Sequence, residues 1–183
     1  MSPLRPDLVD CWIFRVAEPA AAGSVAGGAA TSAPAGSPAG PEILLLRRSP
    51  GRILPGLWQC VSGSLEPGER VALGALRELA EETGYTTDAI EAFYDLDLVN
   101  QFHEPSVDGI VLAAVFAVRV RARLEPTLSH EHDGMRWLSP DDAHREVVWP
   151  GYREAIDRIR RDILDPERAP WFALDLDGAR LTR

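Results

Sequence analysis

The chain has 183 residues, enough for one domain with a proper core, and its 45% hydrophobic and 26% charged residues are those of an ordinary globular protein. A formal net charge of −9 argues against a nucleic-acid backbone as the main partner, since such binding rests on Lys and Arg contacts. No apolar run reaches membrane-spanning length and the first ten residues carry no signal-peptide pattern, so neither a membrane nor a nucleic acid is expected as partner, and a cytoplasmic location is. The two cysteines, Cys11 and Cys60, stand in apolar surroundings and read as free buried thiols.

The first strand is expected over 8–16, a run of apolar and β-branched residues. From about 19 to 41 the chain is nearly all Ala, Gly, Ser, Pro and Thr, which predicts a flexible loop, because such a stretch buries too little apolar surface to offset ordering. A second strand follows at 42–47, and the two are read as neighbours joined by this elongated connection. A short strand at 58–61 leads into the segment GSLEPGERVALGALRELAEETGY, residues 63–85. Pro67-Gly68 marks a turn, and the residues beyond it have helical periodicity up to Gly84, a natural left-handed terminator. On that helix Glu78, Glu81 and Glu82 share one face, opposite Ala72, Ala75, Leu76 and Leu79. The pattern predicts an apolar stripe toward a core and an acidic stripe facing out.

Three carboxylates on one stripe repel each other unless positive charge sits among them. A hard divalent cation answers this, since Mg²⁺ takes carboxylate and water oxygens and bridges to phosphates. A solvated glutamate face is the plainer alternative. After the helix come extended segments at 92–102 and 109–120, the latter rich enough in β-branched residues to be a central strand, and another at 135–138. Ser139 is the expected N-cap of a helix with Pro140 in its first turn, and 150–164 reads as a second amphipathic helix. From about 165 the chain is expected to be irregular. The sum is an α+β fold, one domain over 1–183 with a mixed sheet packed between helices.

The segment resembles the Nudix box, G-x5-E-x7-R-E-U-x-E-E-x-G-U with U a bulky apolar residue, at every fixed position: Gly63, Glu69, Arg77, Glu78, Leu79, Glu81, Glu82, Gly84 and Tyr85. The resemblance implies a Nudix fold, an α/β/α sandwich. It also implies a loop–helix–loop that binds Mg²⁺, with Mn²⁺ as a substitute, and hydrolyses a nucleoside diphosphate linked to another moiety. By that similarity Glu78 and Glu82 are the main metal ligands, Glu81 a further ligand or water orienter, and Glu69 a supplement from the loop. Arg77 is expected to pair with a loop carboxylate and orient it, as its rigid fork suits bidentate contact. A diphosphate link is inert because its charged oxygens repel a nucleophile. Metal charge and a carboxylate base remove that obstacle. Glu81, Glu82 and a downstream glutamate are all candidates for the base.

Two further stretches resemble the bacterial dihydroneopterin triphosphate pyrophosphohydrolases of the same family, which also act on some nucleoside triphosphates. One is the lead-in around Trp58, Gln59, Val61, Ser62 and Gly63; the other is Glu131-His132 ahead of a strand. They imply Glu131 as an extra ligand or the base, and His132, Ser62 and Gly63 as substrate contacts. In that subgroup an arginine at the position of Arg47 or Arg48 contacts phosphate, set against a plain strand-end charge. Trp58 is either a stacking surface for a base or pterin ring, or core packing. The expected function is Mg²⁺-dependent cleavage of a nucleotide-like triphosphate, dihydroneopterin triphosphate or a (d)NTP, to monophosphate and pyrophosphate, by a monomer or homodimer. The alternatives are hydrolysis of dinucleoside polyphosphates, nucleotide sugars or ADP-ribose, or a non-catalytic sensor that binds a nucleotide.

Overall fold

A computed structural model describes residues 4–16 and 40–181, so the stretch expected to be a loop at 19–41 lies, up to residue 39, outside the described residues. Strand β1, Leu8–Val16, is buried along almost its whole length because both faces of the sheet around it are covered. Val9, Cys11 and Ile13 point into one apolar cluster, and Trp12 and Phe14 into another on the opposite face. Strand β2, Pro41–Arg48, alternates the same way: Leu44 and Leu46 on one side, Ile43 and Leu45 on the other. As expected, the two strands are neighbours; they run antiparallel, with Ile13 opposite Leu44.

The stretch 58–61 is two strands instead of one. β3, Trp58–Gln59, pairs with β2, and β4, Val61–Ser64, pairs with β1, so the chain changes partner at Cys60. Strands β5, Ile90–Glu104, and β6, Gly109–Val120, form a long antiparallel pair, and β6 runs parallel to β1 in the middle of the sheet. β7, His132–Leu138, is longer than expected and pairs with β2. The order is β3-β2-β1-β6-β5, completed beyond β5 by a short strand from the C-terminal part, with β4 and β7 off that path, and β1–β6 makes it a mixed sheet.

Helix α1, Val71–Thr83, covers one face through Ala75 and Leu79. It ends on Gly84 at φ 69°, whose N–H donates to the Ala80 carbonyl. On the other face lie α2, Pro140–Glu146, and α3, Pro150–Arg158, which continues as a π-helical turn over Ile159–Ile163. Ser139 caps α2 as expected, its Oγ accepting from the Asp142 N–H at 3.2 Å. Ala155, Ile156 and Ile159 carry the packing of the second helix on Trp12, Phe14 and Leu96. Helices on both faces of the sheet make the expected α/β/α sandwich.

The C-terminal part is more ordered than its composition suggests. A 3₁₀ turn, Ala169–Trp171, leads to β8, Ala173–Leu174, which pairs with β5 opposite Phe93 and Tyr94. Arg180 then reaches Asp95 at 2.9 Å, so the segment closes part of a sheet edge. Both cysteines are free and buried, on opposite sides of the sheet. No helix among the described residues is long and apolar enough to cross a membrane.

Asp10 on β1 is a buried polar group of this sheet. It is 3% exposed and accepts from Asn100 Nδ2 at 2.9 Å. Burial pushes its carboxyl above the ordinary range, against the hydrogen bonds from Asn100 and Ser62. A raised folded-state pKa contributes stability below the unfolded value and loses it as pH rises through the folded one. Asp10→Asn is therefore expected to remove a loss of stability that the parent shows as pH rises above the ordinary carboxylate range. Melting curves from about pH 4 to about pH 8 check it.

Candidate active site

The carboxylates of α1 meet the loop before the helix, and a glycine lets them. A Cβ built at Gly63 on β4 would overlap the Glu78 carboxylate. With no side chain there, Glu78 and Glu82 pack against the strand and become 9% and 4% exposed, so the acidic stripe expected to face solvent is largely buried. Of the three, only Glu81 points outward, its side chain 59% exposed. Gly63→Ala is expected to cost only about 1 kcal/mol, since the atoms a Cβ meets are the movable end of Glu78, and to displace that carboxylate. Chemical denaturation reads the first effect.

Arg77 ties the cluster together. Its Nε and Nη2 donate to the two oxygens of Glu69 at 2.9 and 3.1 Å, the bidentate pairing expected of it. Its Nη1 reaches Glu78 at 2.8 Å and Glu81 at 3.2 Å, and Nη2 also donates to the Ser64 carbonyl at 2.8 Å. One guanidinium thus joins the loop, the strand end and the helix. The hydrogen bonds from Arg77 hold the Glu69 carboxyl below the ordinary range. Glu69 also accepts from the Glu66 N–H at 3.0 Å, which closes the turn before α1.

Glu82 has the opposite environment. Burial first, then the neighbouring charges of Glu78 and Glu131, push its carboxyl up to about 8. Its Oε2 is buried with no hydrogen-bond partner, and so is Nδ1 of His132, which faces it at 3.6 Å. Burial lowers His132 to about 4. The two atoms stand too far apart for a hydrogen bond, and burial favours the uncharged form of each group. Glu78 is also raised, by burial, with Arg77 opposing and Glu81 and Glu131 adding to the shift.

Glu131 comes to the cluster from the turn before β7. The Ser129 N–H donates to the Glu82 carbonyl and the Thr127 N–H to the Thr83 carbonyl, at 3.0 and 2.9 Å, so this turn is strapped to the C-terminal end of α1. Arg52 reaches Glu131 at 2.6 Å. Sequence reasoning did not single out Arg52; it sits in a Pro/Gly-rich loop, and only a partner far along the chain gives it a place. Gln59 belongs to the lead-in motif, which by itself assigns it no partner. It lies between Arg48, which donates to its Oε1 at 3.2 Å, and His132 at 3.5 Å.

The remaining candidates divide. Arg48 folds inward, its Nε donating to the Ile53 carbonyl at 2.6 Å. Its charge opposes the rise at Glu82. Ser62 lies beside the cluster, and a hydrogen bond from its backbone acts on Glu82. Arg47 instead points along the sheet to Asp133 at 2.7 Å, beside Trp58. Trp58 packs against the core and carries Arg136 over its ring at 4.3 Å. Arg47 and Trp58 thus form a group with β7, while Arg48, Ser62, Gly63 and His132 belong with the carboxylates.

The donor chemistry fits a hard divalent cation: several carboxylates in mutual repulsion, with one buried oxygen unsatisfied. Among the described residues no group of three or more His, Cys, Asp or Glu side chains is arranged to hold a metal; Arg77 pairs with Glu69, Glu78 and Glu81, and Arg52 with Glu131.

Known proteins share both the sequence and the shape. The chain is 37% identical over 123 residues to an octanoyltransferase of Myxococcus xanthus, covering 65% of this chain but only 33% of that protein, so it spans about a third of that relative's length. It is 32% identical over 109 residues to the CTP pyrophosphohydrolase of Escherichia coli, covering 60% of this chain and 75% of that one. The structure of the E. coli dihydroneopterin triphosphate pyrophosphohydrolase shares the fold, with a TM-score of 0.58 at 20% identity over 82% of this chain and 92% of that one. The family model described as NUDIX domain matches residues 29–159, most of the chain. With the box complete and the family model matched over most of its length, the chain belongs to the NUDIX domain family.

Proposed function

We propose that this chain is a Mg²⁺-dependent pyrophosphohydrolase that cuts a nucleotide-like triphosphate, dihydroneopterin triphosphate or a (d)NTP, to a monophosphate and pyrophosphate. The observation that carries the reading is the buried carboxylate of Glu82, one oxygen of which has no hydrogen-bond partner, set among Glu78, Glu131 and the Arg77-held Glu69 and Glu81. Bound Mg²⁺ supplies charge neutralisation of the phosphate chain and a more acidic water. Glu78 and Glu82 are the residues to hold it, with Glu69, Glu81 and Glu131 at the margin. Because Glu82 is buried, the base role falls to one of the accessible carboxylates, Glu81 or Glu131. Arg77 orients Glu69 and Glu78; Arg48, His132, Ser62 and Gly63 shape the wall that faces the substrate. Arg47 and Trp58 are a second contact point, for phosphate and ring.

The match to a CTP pyrophosphohydrolase over most of that protein's length supports a triphosphate over ADP-ribose or a dinucleoside polyphosphate. One observation favours a second reading: a domain like this one is part of a longer chain named for octanoyl transfer. An acyl-linked nucleotide such as octanoyl-coenzyme A, which carries a diphosphate link, therefore belongs among the substrates to test. A cytoplasmic location and a monomer or homodimer go with either reading. The experiment is purified protein and Mg²⁺ with dihydroneopterin triphosphate, CTP, dCTP, ADP-ribose, a dinucleoside tetraphosphate and octanoyl-coenzyme A, the products identified by phosphorus NMR. Pyrophosphate plus a monophosphate from a triphosphate is the expected result. Tight nucleotide binding with no turnover of any compound would instead make it a nucleotide sensor.

A further inference from the structure

Arg52 enters no motif, yet it is the cation that neutralises the outlying carboxylate of the cluster. Its Nη2 lies 2.6 Å from Glu131 Oε1 and 2.9 Å from His130 Nε2. The loop that presents it is built for the purpose. Arg48 Nε donates to the Ile53 carbonyl, the Gly56 N–H donates to the Arg48 carbonyl, and Leu54 adopts a left-handed φ of 57°. The Ser49 N–H donates to the Glu131 carbonyl at 2.8 Å and its Oγ to the His130 carbonyl at 3.0 Å. The two loops are therefore joined at the backbone. Arg52 and Glu131 face each other from a fixed frame, and only their side chains, 34% and 36% exposed, are free to rearrange.

We propose that Arg52 is an exchange residue: its guanidinium holds Glu131 while the cluster lacks a cation, releases it when a divalent ion binds, and then takes an oxygen of the substrate's phosphate chain. This rests on the metal-dependent reading above. The exchange follows from geometry and charge. Glu131 adds to the repulsion felt by Glu78 and Glu82, so it lies within electrostatic reach of both. A guanidinium fixed on it opposes a divalent ion twice, by occupying an oxygen and by like charge. Once freed of Glu131, Arg52 keeps at most its contact to His130, and the remaining N–H groups of its planar fork match a phosphate as well as a carboxylate. The bond it gives up is an accessible ion pair, which is weak enough to break on demand.

The test uses the full chain and the variants Arg52→Ala and Arg52→Lys. Calorimetric titration with Mn²⁺ alone, without substrate, is expected to show roughly five-fold tighter binding in Arg52→Ala, the release of one accessible ion pair. Arg52→Lys, which keeps the charge, stays near the parent. Inorganic triphosphate titrated into the Mn²⁺-loaded proteins is expected to bind Arg52→Ala at least ten-fold more weakly, with partial recovery in Arg52→Lys. Metal affinity unchanged or weakened in Arg52→Ala overturns the exchange and leaves Arg52 a structural clamp. Triphosphate affinity unchanged overturns its phosphate role. Failure of the parent protein to bind Mn²⁺ overturns this proposal and the metal-dependent reading together, whereas a parent that binds metal and hydrolyses a triphosphate while the variants match it overturns this proposal alone.

Discussion

Glu82→Gln is expected to lower metal-dependent turnover by roughly 10³-fold, because a lost charged ligand forfeits several kcal/mol of transition-state stabilisation. The same change is expected to stabilise the metal-free protein at alkaline pH. Burial lifts the Glu82 carboxyl to about 8, far above the range of an unfolded chain. The sign follows from linkage. A raised folded-state pKa gives stability that is complete below the unfolded value and is lost as pH rises through about 8. In the parent that loss is on the order of a few kcal/mol by pH 9. Glutamine fills the same space without a charge and removes the loss. Melting curves in chelator from pH 5 to 9 are expected to fall in the parent and to stay flatter in the variant. A gain in stability with a loss of activity marks a carboxylate kept for chemistry and not for folding.

Arg77→Ala has the second largest expected effect, and there both quantities fall together. Its guanidinium makes charge-assisted bonds to Glu69, Glu78 and Glu81 and one to the Ser64 carbonyl. Removing it leaves partly buried acceptors unpaired, at a cost of about 2 kcal/mol. It also frees Glu78 and Glu69 from the positions they need, for an expected activity loss of roughly 10²-fold, in line with losing residues that orient metal ligands. Arg77→Lys is expected to recover part of the stability and little of the activity, because an ammonium cannot bridge three carboxylates and a carbonyl at once. Denaturant midpoints and initial rates on the two variants separate these outcomes.

The parts legible in the sequence are those whose cause is local. Helix α1 follows from helical periodicity closed by Gly84, and α2 from Ser139 followed by proline; both stand where expected. The long runs of β1 and β6 read as strands because both faces of the sheet are covered there. The box residues were legible because spacing along one helix and its loop is itself the motif.

What the sequence left hidden depends on partners far away. The burial of Glu78 and Glu82 needs β4 to approach the helix at Gly63, which helical periodicity alone cannot show. The exchange of strand partner at Cys60 and the closure of the β5 edge by β8 are settled by pairing, not propensity. Arg52 and Glu131, and Asp10 with Asn100, meet only in the folded chain. Arg47 and Arg48, adjacent on one strand, point to opposite surroundings, and only the fold distinguishes them.

The central claim is that this carboxylate cluster binds Mg²⁺ and uses it to cut a phosphoric anhydride. Pyrophosphate release from CTP and dihydroneopterin triphosphate, followed as Mg²⁺ is added to chelator-treated parent protein and to Glu82→Gln, tests it most directly. Release is expected to rise from nothing to saturation with Mg²⁺ in the parent and to fall by roughly 10³-fold in the variant. Metal-independent release, or equal rates in parent and variant, would contradict it.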